Sequence, residues 1–232
     1  MKKYLFTKSS KRPLYVNVLL CLFAIFGILV IPNELALTFN KYISNKIICS
    51  MLGDIVFIIL LFLIYYKDLV EEFKNYKKDL SNNISISFKY YIIGILLMIT
   101  LNKIIISITG SMSLNETKVR EVLFNNLPLM LIEIAITAPL IEELVFRKSI
   151  STIFSNKWIF ALVSGLLFGG AHIMTNLTTG VFVTTDLLYI LPYGAFGFCF
   201  ALMNREIKST FSSIFIHSFH NVSTVILLLL VR

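Results

Sequence analysis

Long apolar runs, separated by short polar or basic stretches, make up most of this chain. The runs do not alternate with polar residues, which disfavours a transmembrane β-barrel. Each is long enough for a helix that crosses a hydrocarbon core about 30 Å thick. The pattern therefore predicts an all-α protein, a polytopic transmembrane helical bundle of about seven spans. The predicted spans cover roughly residues 14–31, 47–66, 87–108, 127–155, 157–172, 187–203 and 211–231.

Two of these spans contain breaks in the helical pattern. Pro139 interrupts the fourth span, and the Pro192-Tyr193-Gly194 sequence predicts a kink or loosening of the sixth. The segment 111–126, between the third and fourth spans, is polar and is expected to be external. No internal repeat is visible, so the sequence predicts one integrated membrane domain.

Composition and charge agree with a membrane protein. The chain of 232 residues is 57% hydrophobic and only 15% charged, whereas a soluble domain carries about 25% charged residues. The net charge of +8 gathers in short segments at alternate loops, which places the N-terminus on the cytosolic side of the cell membrane. This distribution does not form a nucleic-acid-binding stripe. The single cysteines in apolar runs are expected to be packing residues. They are Cys21, Cys49 and Cys199.

Ionisable side chains are costly inside a bilayer and usually mark a functional interior. Here they occur in the Glu142-to-Arg147 run, at His172, and around His217. At 1.5 Å per helical residue, Glu142 and His172 each lie roughly 22 Å from the turn at Lys157. Asn221, by the same arithmetic, lies roughly 20 Å from the same side. The topology thus predicts that these groups meet at one depth.

Helical spacing separates the two adjacent glutamates. Glu143 and Arg147 are i and i+4, the favourable order for an ion pair, which predicts a structural role. Glu142 is rotated by about 100° and can face a different neighbour. We interpret Glu142 as the working carboxylate.

The histidines supply the partners that hydrolysis needs. His172 and Glu142 together can hold and deprotonate a water molecule, the general-base step of peptide hydrolysis. His217 and Asn221 are i and i+4 and share a helix face, where their donors suit a developing oxyanion. The neighbouring His220 is assigned neither a ligand nor a supporting role.

Several other residues have simpler interpretations. Gly165, Gly169 and Gly170 are expected to allow another helix to approach closely. Asp54 and Glu133 are isolated in the sequence and are expected to be packing or pore-facing residues.

Three motifs in this order resemble the CAAX protease and bacteriocin-processing (CPBP, or Abi) family of intramembrane metalloproteases. They are Glu142-Glu143-x-x-x-Arg147, Phe168-x-x-x-His172 and His217-x-x-x-Asn221, and the Ala138-Pro139 and Phe146-Arg147 pairs also match. The resemblance covers roughly residues 138–232. Lys148 departs from it, because a glycine is usual after the arginine.

The resemblance implies an endopeptidase acting on a small peptide or a membrane-associated protein. It implies that Glu142 and His172 activate water while His217 and Asn221 stabilise the oxyanion. The family name leaves a divalent metal such as zinc open, in which case Glu142, His172 and His217 would be its ligands. Residues 127–232 would form the catalytic core, and 1–126 the N-terminal transmembrane helices.

Two other functional classes stay open on the sequence alone. The chain could be a non-catalytic immunity protein that keeps the fold to bind a toxic peptide. It could instead be a small transporter whose buried Glu and His relay protons. The family's known branches include peptide export, pheromone maturation and bacteriocin immunity, and the Ile-, Lys- and Asn-rich composition favours these branches over prenyl-protein cleavage.

Overall fold

The computed structural model describes residues 12–178 and 184–230, and this part of the chain is helical without a strand. The predicted all-α polytopic bundle is confirmed. The helices are α1 (Leu14–Phe39), α2 (Lys46–Lys78), α3 (Leu80–Thr109), α4 (Leu114–Asn125), α5 (Leu127–Ile132), α6 (Ala138–Glu143), α7 (Lys157–Thr178), α8 (Ile190–Ile207) and α9 (Thr210–Leu230). Two π-turns, Glu133–Thr137 and Leu144–Ser149, flank α6, and a 3₁₀ segment, Thr184–Tyr189, leads into α8.

Within the described residues, six helical stretches are long and apolar enough to cross a membrane. They are α1, α2, α3, α7 up to Met174, the run Thr184–Ile207, and α9. The protein is therefore a multi-pass membrane protein. The predicted fourth span is the exception, because π-turns divide it into the short helices α5 and α6. Pro139 is the second residue of α6 and directly follows the first π-turn, so it lies within the irregular part of this span.

Much of the polar segment 111–126 is helical and forms α4. One local expectation differs from the structure. In the sixth span the irregularity precedes the predicted site: the 3₁₀ segment ends at Tyr189, and Pro192 lies within the first turn of α8. Proline is tolerated there because the first helical N–H groups have no intrahelical acceptor.

The most extensive helix contact joins α7 to α8, and two glycines make it possible. A methyl group on Gly165 would lie 2.6 Å from the carbonyl oxygen of Gly194, and one on Gly169 would lie 2.5 Å from that of Ile190. Small residues let helix backbones approach this closely in membranes. The expectation is wrong for Gly170, where an added methyl would meet no atom within 4 Å.

Two apolar clusters surround the centre of the bundle. One joins α1, α2 and α7 to the second π-turn, around Phe57, Leu61, Leu144 and Phe160. The other joins the C-terminal part of α2, at Tyr76, and residues 86–98 of α3 to α8 and α9, around Phe200. The α7–α8 pair lies beside both clusters and therefore fixes the positions of the polar residues between them.

The glycine contacts yield a direct test. We expect Gly169→Ala to destabilise the bundle by about 1–3 kcal/mol, because the added carbon must displace backbone. Gly170→Ala is the matched control and should leave stability unchanged or slightly raised. The measurement is the free energy of unfolding in mixed detergent micelles. Equal stability of the two variants would contradict the close α7–α8 approach.

Candidate functional site

A buried ion pair lies at the centre of the site. Arg147 Nη1 is 3.1 Å from Glu143 Oε1, and both side chains are 0% exposed, which confirms the predicted i, i+4 pair. Arg147 Nη2 also donates a hydrogen bond to the carbonyl oxygen of Gly197 in α8, at 3.4 Å. The guanidinium lies 4.3 Å from the ring centre of Phe168 and 5.5 Å from that of Phe200. These contacts compensate a charge that has been removed from solvent.

His217 of α9 lies between the two adjacent glutamates. Its Nδ1 is 2.9 Å from Glu143 Oε1, and its Nε2 is 3.8 Å from Glu142 Oε2. The Glu143 carboxylate is already paired with Arg147, so Nδ1–H of His217 is the donor. Glu142 thus shares a neighbour with Glu143, contrary to expectation. The 100° rotation separates the two carboxylates, but the imidazole presents a nitrogen to each.

His172 of α7 has a fixed tautomer. Its Nδ1 lies 2.9 Å from the carbonyl oxygen of Phe168, one helical turn earlier. A carbonyl cannot donate, so Nδ1 must carry the proton, and Nε2 of the neutral ring is left as an acceptor. Both Glu142 and His217 lie within electrostatic range of this imidazole. The structure therefore brings together the residues that the depth arithmetic placed at one level.

Asn221 and His220 lie at different edges of this cluster. Asn221 Nδ2 donates to the carbonyl oxygen of Ile134, in the first π-turn, at 2.8 Å. The amide has a second N–H. The His220 ring instead packs 4.7 Å from that of Phe196, and its Nδ1 is 3.4 Å from the hydroxyl of Tyr91. His220 therefore faces α3 and α8, away from the glutamates.

Asp54 and Glu133 are not isolated, which corrects the expectation from sequence. Their carboxyl groups lie within electrostatic range of each other and of Glu142. Because 78 other residues separate them in the chain, only the packing of α2 against the first π-turn reveals this pair.

Lys148, the departure from the family pattern, has a defined role in the packing. Its ammonium is 2.6 Å from Glu72 Oε1 and 3.6 Å from Asp68 Oδ2, both on α2. The other Glu72 oxygen accepts from the backbone N–H of Thr210, the first residue of α9, at 2.8 Å. Glu72 thus caps the helix that carries His217 and links it to the segment after Glu143.

The residues predicted as possible metal ligands have suitable donor atoms but not a suitable arrangement. Glu142, His172 and His217 offer a carboxylate and two imidazole Nε2 atoms. Across the residues that the structure describes, however, no three His, Cys, Asp or Glu side chains converge as a set of metal ligands.

Comparison with known proteins gives a consistent result. Residues 124–223 match the model of the Rce1-like family, described as type II CAAX prenyl endopeptidase Rce1-like. The matched segment contains all three sequence motifs and the whole Glu142–Glu143–His217 cluster, so the resemblance predicted from the motifs is confirmed.

Two individual relatives also match this chain. It is 31% identical over 150 residues to the "Putative membrane peptidase YdiL" of Bacillus subtilis (strain 168), covering 63% of this chain and 50% of that protein. It is 37% identical over 93 residues to an uncharacterized protein of Mycoplasma capricolum, covering 40% of this chain and 25% of that protein. The chain thus matches half or less of the length of each relative. No solved structure matches it.

Stability should depend strongly on the buried ion pair. Replacing Arg147 with Met removes the i, i+4 ion-pair partner of the buried Glu143, and we expect a loss of about 3–5 kcal/mol. Arg120 and Glu116 on α4 form the matched control, an i, i+4 pair whose side chains are 38% and 39% exposed. Arg120→Met should cost at most about 1 kcal/mol. Unfolding in mixed micelles measures both values, and similar losses would contradict a central role for the buried pair.

Proposed function

We propose that this protein is an intramembrane endopeptidase, in which Glu142 and His172 activate a water molecule. The observation that carries the proposal is the position of the buried His217 imidazole. Its Nδ1 is hydrogen-bonded to Glu143, and its Nε2 faces Glu142. Oε2 of Glu142 is buried and has no hydrogen-bond partner among the described residues. The Glu142 side chain as a whole is 22% exposed, so the residue lies at the edge of the cluster while its unpartnered acceptor faces the interior.

The proposed mechanism requires His217 to carry a proton on each nitrogen. Together with Arg147, this positive charge balances the two carboxylates of Glu142 and Glu143. His217 then donates from both nitrogens. At 3.8 Å, its Nε2 is too far from Glu142 for a hydrogen bond, so that N–H stays available to another acceptor.

The proposed reaction begins with deprotonation of water. Glu142 accepts one proton, His172 Nε2 accepts a hydrogen bond from the other O–H group, and the oxygen attacks the carbonyl carbon of the peptide bond. The carbonyl oxygen gains the negative charge. His217 Nε2–H and the second amide N–H of Asn221 stabilise it. The C–N bond then breaks, and the nitrogen takes the proton held by Glu142, giving a carboxylic acid and an amine.

The family match supports a peptide or membrane-associated protein as substrate and the lipid bilayer as the protein's surroundings. Within that class we propose the branch that handles short peptides, such as pheromone maturation or bacteriocin processing and self-immunity. The basis is compositional, since the chain is rich in Ile, Lys, Asn and Phe.

Loss of the working residues should abolish cleavage without loss of the protein. We expect Glu142→Gln and His172→Gln each to reduce turnover by about 100-fold or more, with unchanged accumulation in the membrane. Glu34→Gln and His220→Gln are matched controls that change the same residue types away from the cluster, and both should remain active. Mass spectrometry of membrane peptides from cells carrying each variant would detect the termini that only active protein produces.

The alternative classes give other outcomes in that experiment. A non-catalytic immunity protein would produce no new termini, and its Glu142→Gln variant would still protect the cell. Either result would overturn the proposal.

The orientation proposed from the basic loops can be tested separately. Tyr42, 85% exposed between α1 and α2, should be external, and the exposed Lys78 at the end of α2 should be cytosolic. We expect a membrane-impermeant maleimide to label Tyr42→Cys in intact cells and Lys78→Cys only after permeabilisation. The three native cysteines are buried, so background labelling should be low. The reverse labelling would invert the orientation.

A further inference from the structure

The ring of Tyr193, in the first turn of α8, stacks on the imidazole of His172. The ring centres are 4.4 Å apart and the planes differ by 21°. Phe168 lies at the same centre-to-centre distance, inclined by 49°, and its carbonyl oxygen holds Nδ1–H of His172. The imidazole is thus confined by two aromatic rings and one hydrogen bond, and Nε2 is its remaining polar atom.

Tyr193 is itself held in position at both ends. Its hydroxyl lies 2.8 Å from that of Ser113, whose oxygen also accepts from the backbone N–H of Glu116 at 3.2 Å, in the first turn of α4. At its backbone end, the next residue is Gly194, which contacts the glycines of α7. The ring is therefore fixed between the start of α4 and the α7–α8 contact.

We propose that Tyr193 is a positioning residue for His172, which keeps the imidazole in the orientation that leaves Nε2 free. A histidine ring turned by 180° about its χ2 bond exchanges the places of its nitrogen and carbon atoms. It would then lose the Phe168 hydrogen bond and move Nε2 away from its working position. The stacked tyrosine hinders this turn. The inference rests on the proposed function, in which Nε2 orients the attacking water.

The kinetic test separates the ring from the hydroxyl. We expect Tyr193→Leu to lower kcat by about 100-fold, the loss that misplacement of a catalytic group by about 1 Å produces, with little change in KM. Tyr193→Phe keeps the ring and should restore most of kcat. The probe is a quenched-fluorescent peptide that carries the cleavage site found in the membrane-peptide comparison.

Tyr189 provides the matched control for general destabilisation. It is a buried tyrosine just before α8, and its hydroxyl donates to the carbonyl oxygen of Ser111, in the loop between α3 and α4. No ring contact joins it to His172. Tyr189→Leu should therefore leave kcat near that of the wild type. A similar loss of kcat in Tyr189→Leu and Tyr193→Leu would mean that Tyr193 acts only through stability, and would overturn the inference.

A spectroscopic readout does not depend on finding a substrate. The chain has three histidines, so ring ¹⁵N spectra of the full chain in lipid nanodiscs contain three imidazoles, assigned with His172→Gln and His220→Gln. We expect the Nδ1-protonated form for His172 in the wild type and in Tyr193→Phe. Tyr193→Leu should show a mixture of tautomers at His172 only, with unchanged His217 signals confirming that the protein is folded.

The two readouts distinguish the possible failures. If Tyr193→Leu keeps the single His172 tautomer and its kcat, the positioning role is wrong while the peptidase proposal stands. If the wild type cleaves nothing, the peptidase proposal fails, and the spectra still decide whether Tyr193 orients His172.

Discussion

The carboxylate of Glu143 is the interaction on which the rest of the site depends. It pairs with Arg147 in the following π-turn and accepts a hydrogen bond from His217 in α9, while Arg147 reaches the carbonyl of Gly197 in α8. Three separate parts of the chain therefore meet at one charge that water does not reach. A buried carboxylate is tolerated only with such partners. Each helix that supplies a partner is consequently fixed in depth and rotation.

Much of this arrangement follows from the sequence, because helical spacing and depth are simple geometric quantities. The i, i+4 distance predicted the pair of Glu143 and Arg147, and the 1.5 Å rise predicted that Glu142 and His172 meet. The π-turns were not predictable in this way. They shift the backbone hydrogen bonds by one residue, and composition carries no clear signal for that shift. The bond from Asn221 to Ile134 in one of these turns was therefore missed.

The remaining omissions are contacts between residues far apart in the chain. Lys148 is noticeable only to a reader who knows the family pattern, and its partner Glu72 lies 76 positions earlier. Glu72 in turn caps α9 at Thr210. Likewise, Tyr193 was noted only within a Pro-Tyr-Gly sequence that predicted a kink. Its stacking on His172 depends on how closely α7 and α8 approach, which the glycines permit but do not specify. Periodicity identifies helices and their faces, whereas these pairings depend on which faces meet.

The two central histidines share one feature that explains how a bilayer protein can keep reactive groups in its interior. Each commits Nδ1 to a fixed acceptor, the Phe168 carbonyl for His172 and the Glu143 carboxylate for His217. In each ring, therefore, only Nδ1 forms the hydrogen bond that holds the side chain in place. Within the part of the chain that the structure describes, no hydrogen bond holds the other nitrogen of either ring or Glu142 Oε2. These are the atoms that the proposed hydrolysis uses. In each histidine, Nδ1 holds the ring against its helix neighbours and Nε2 stays available for the proposed reaction. The helices can therefore pack rigidly without blocking the atoms that this reaction needs.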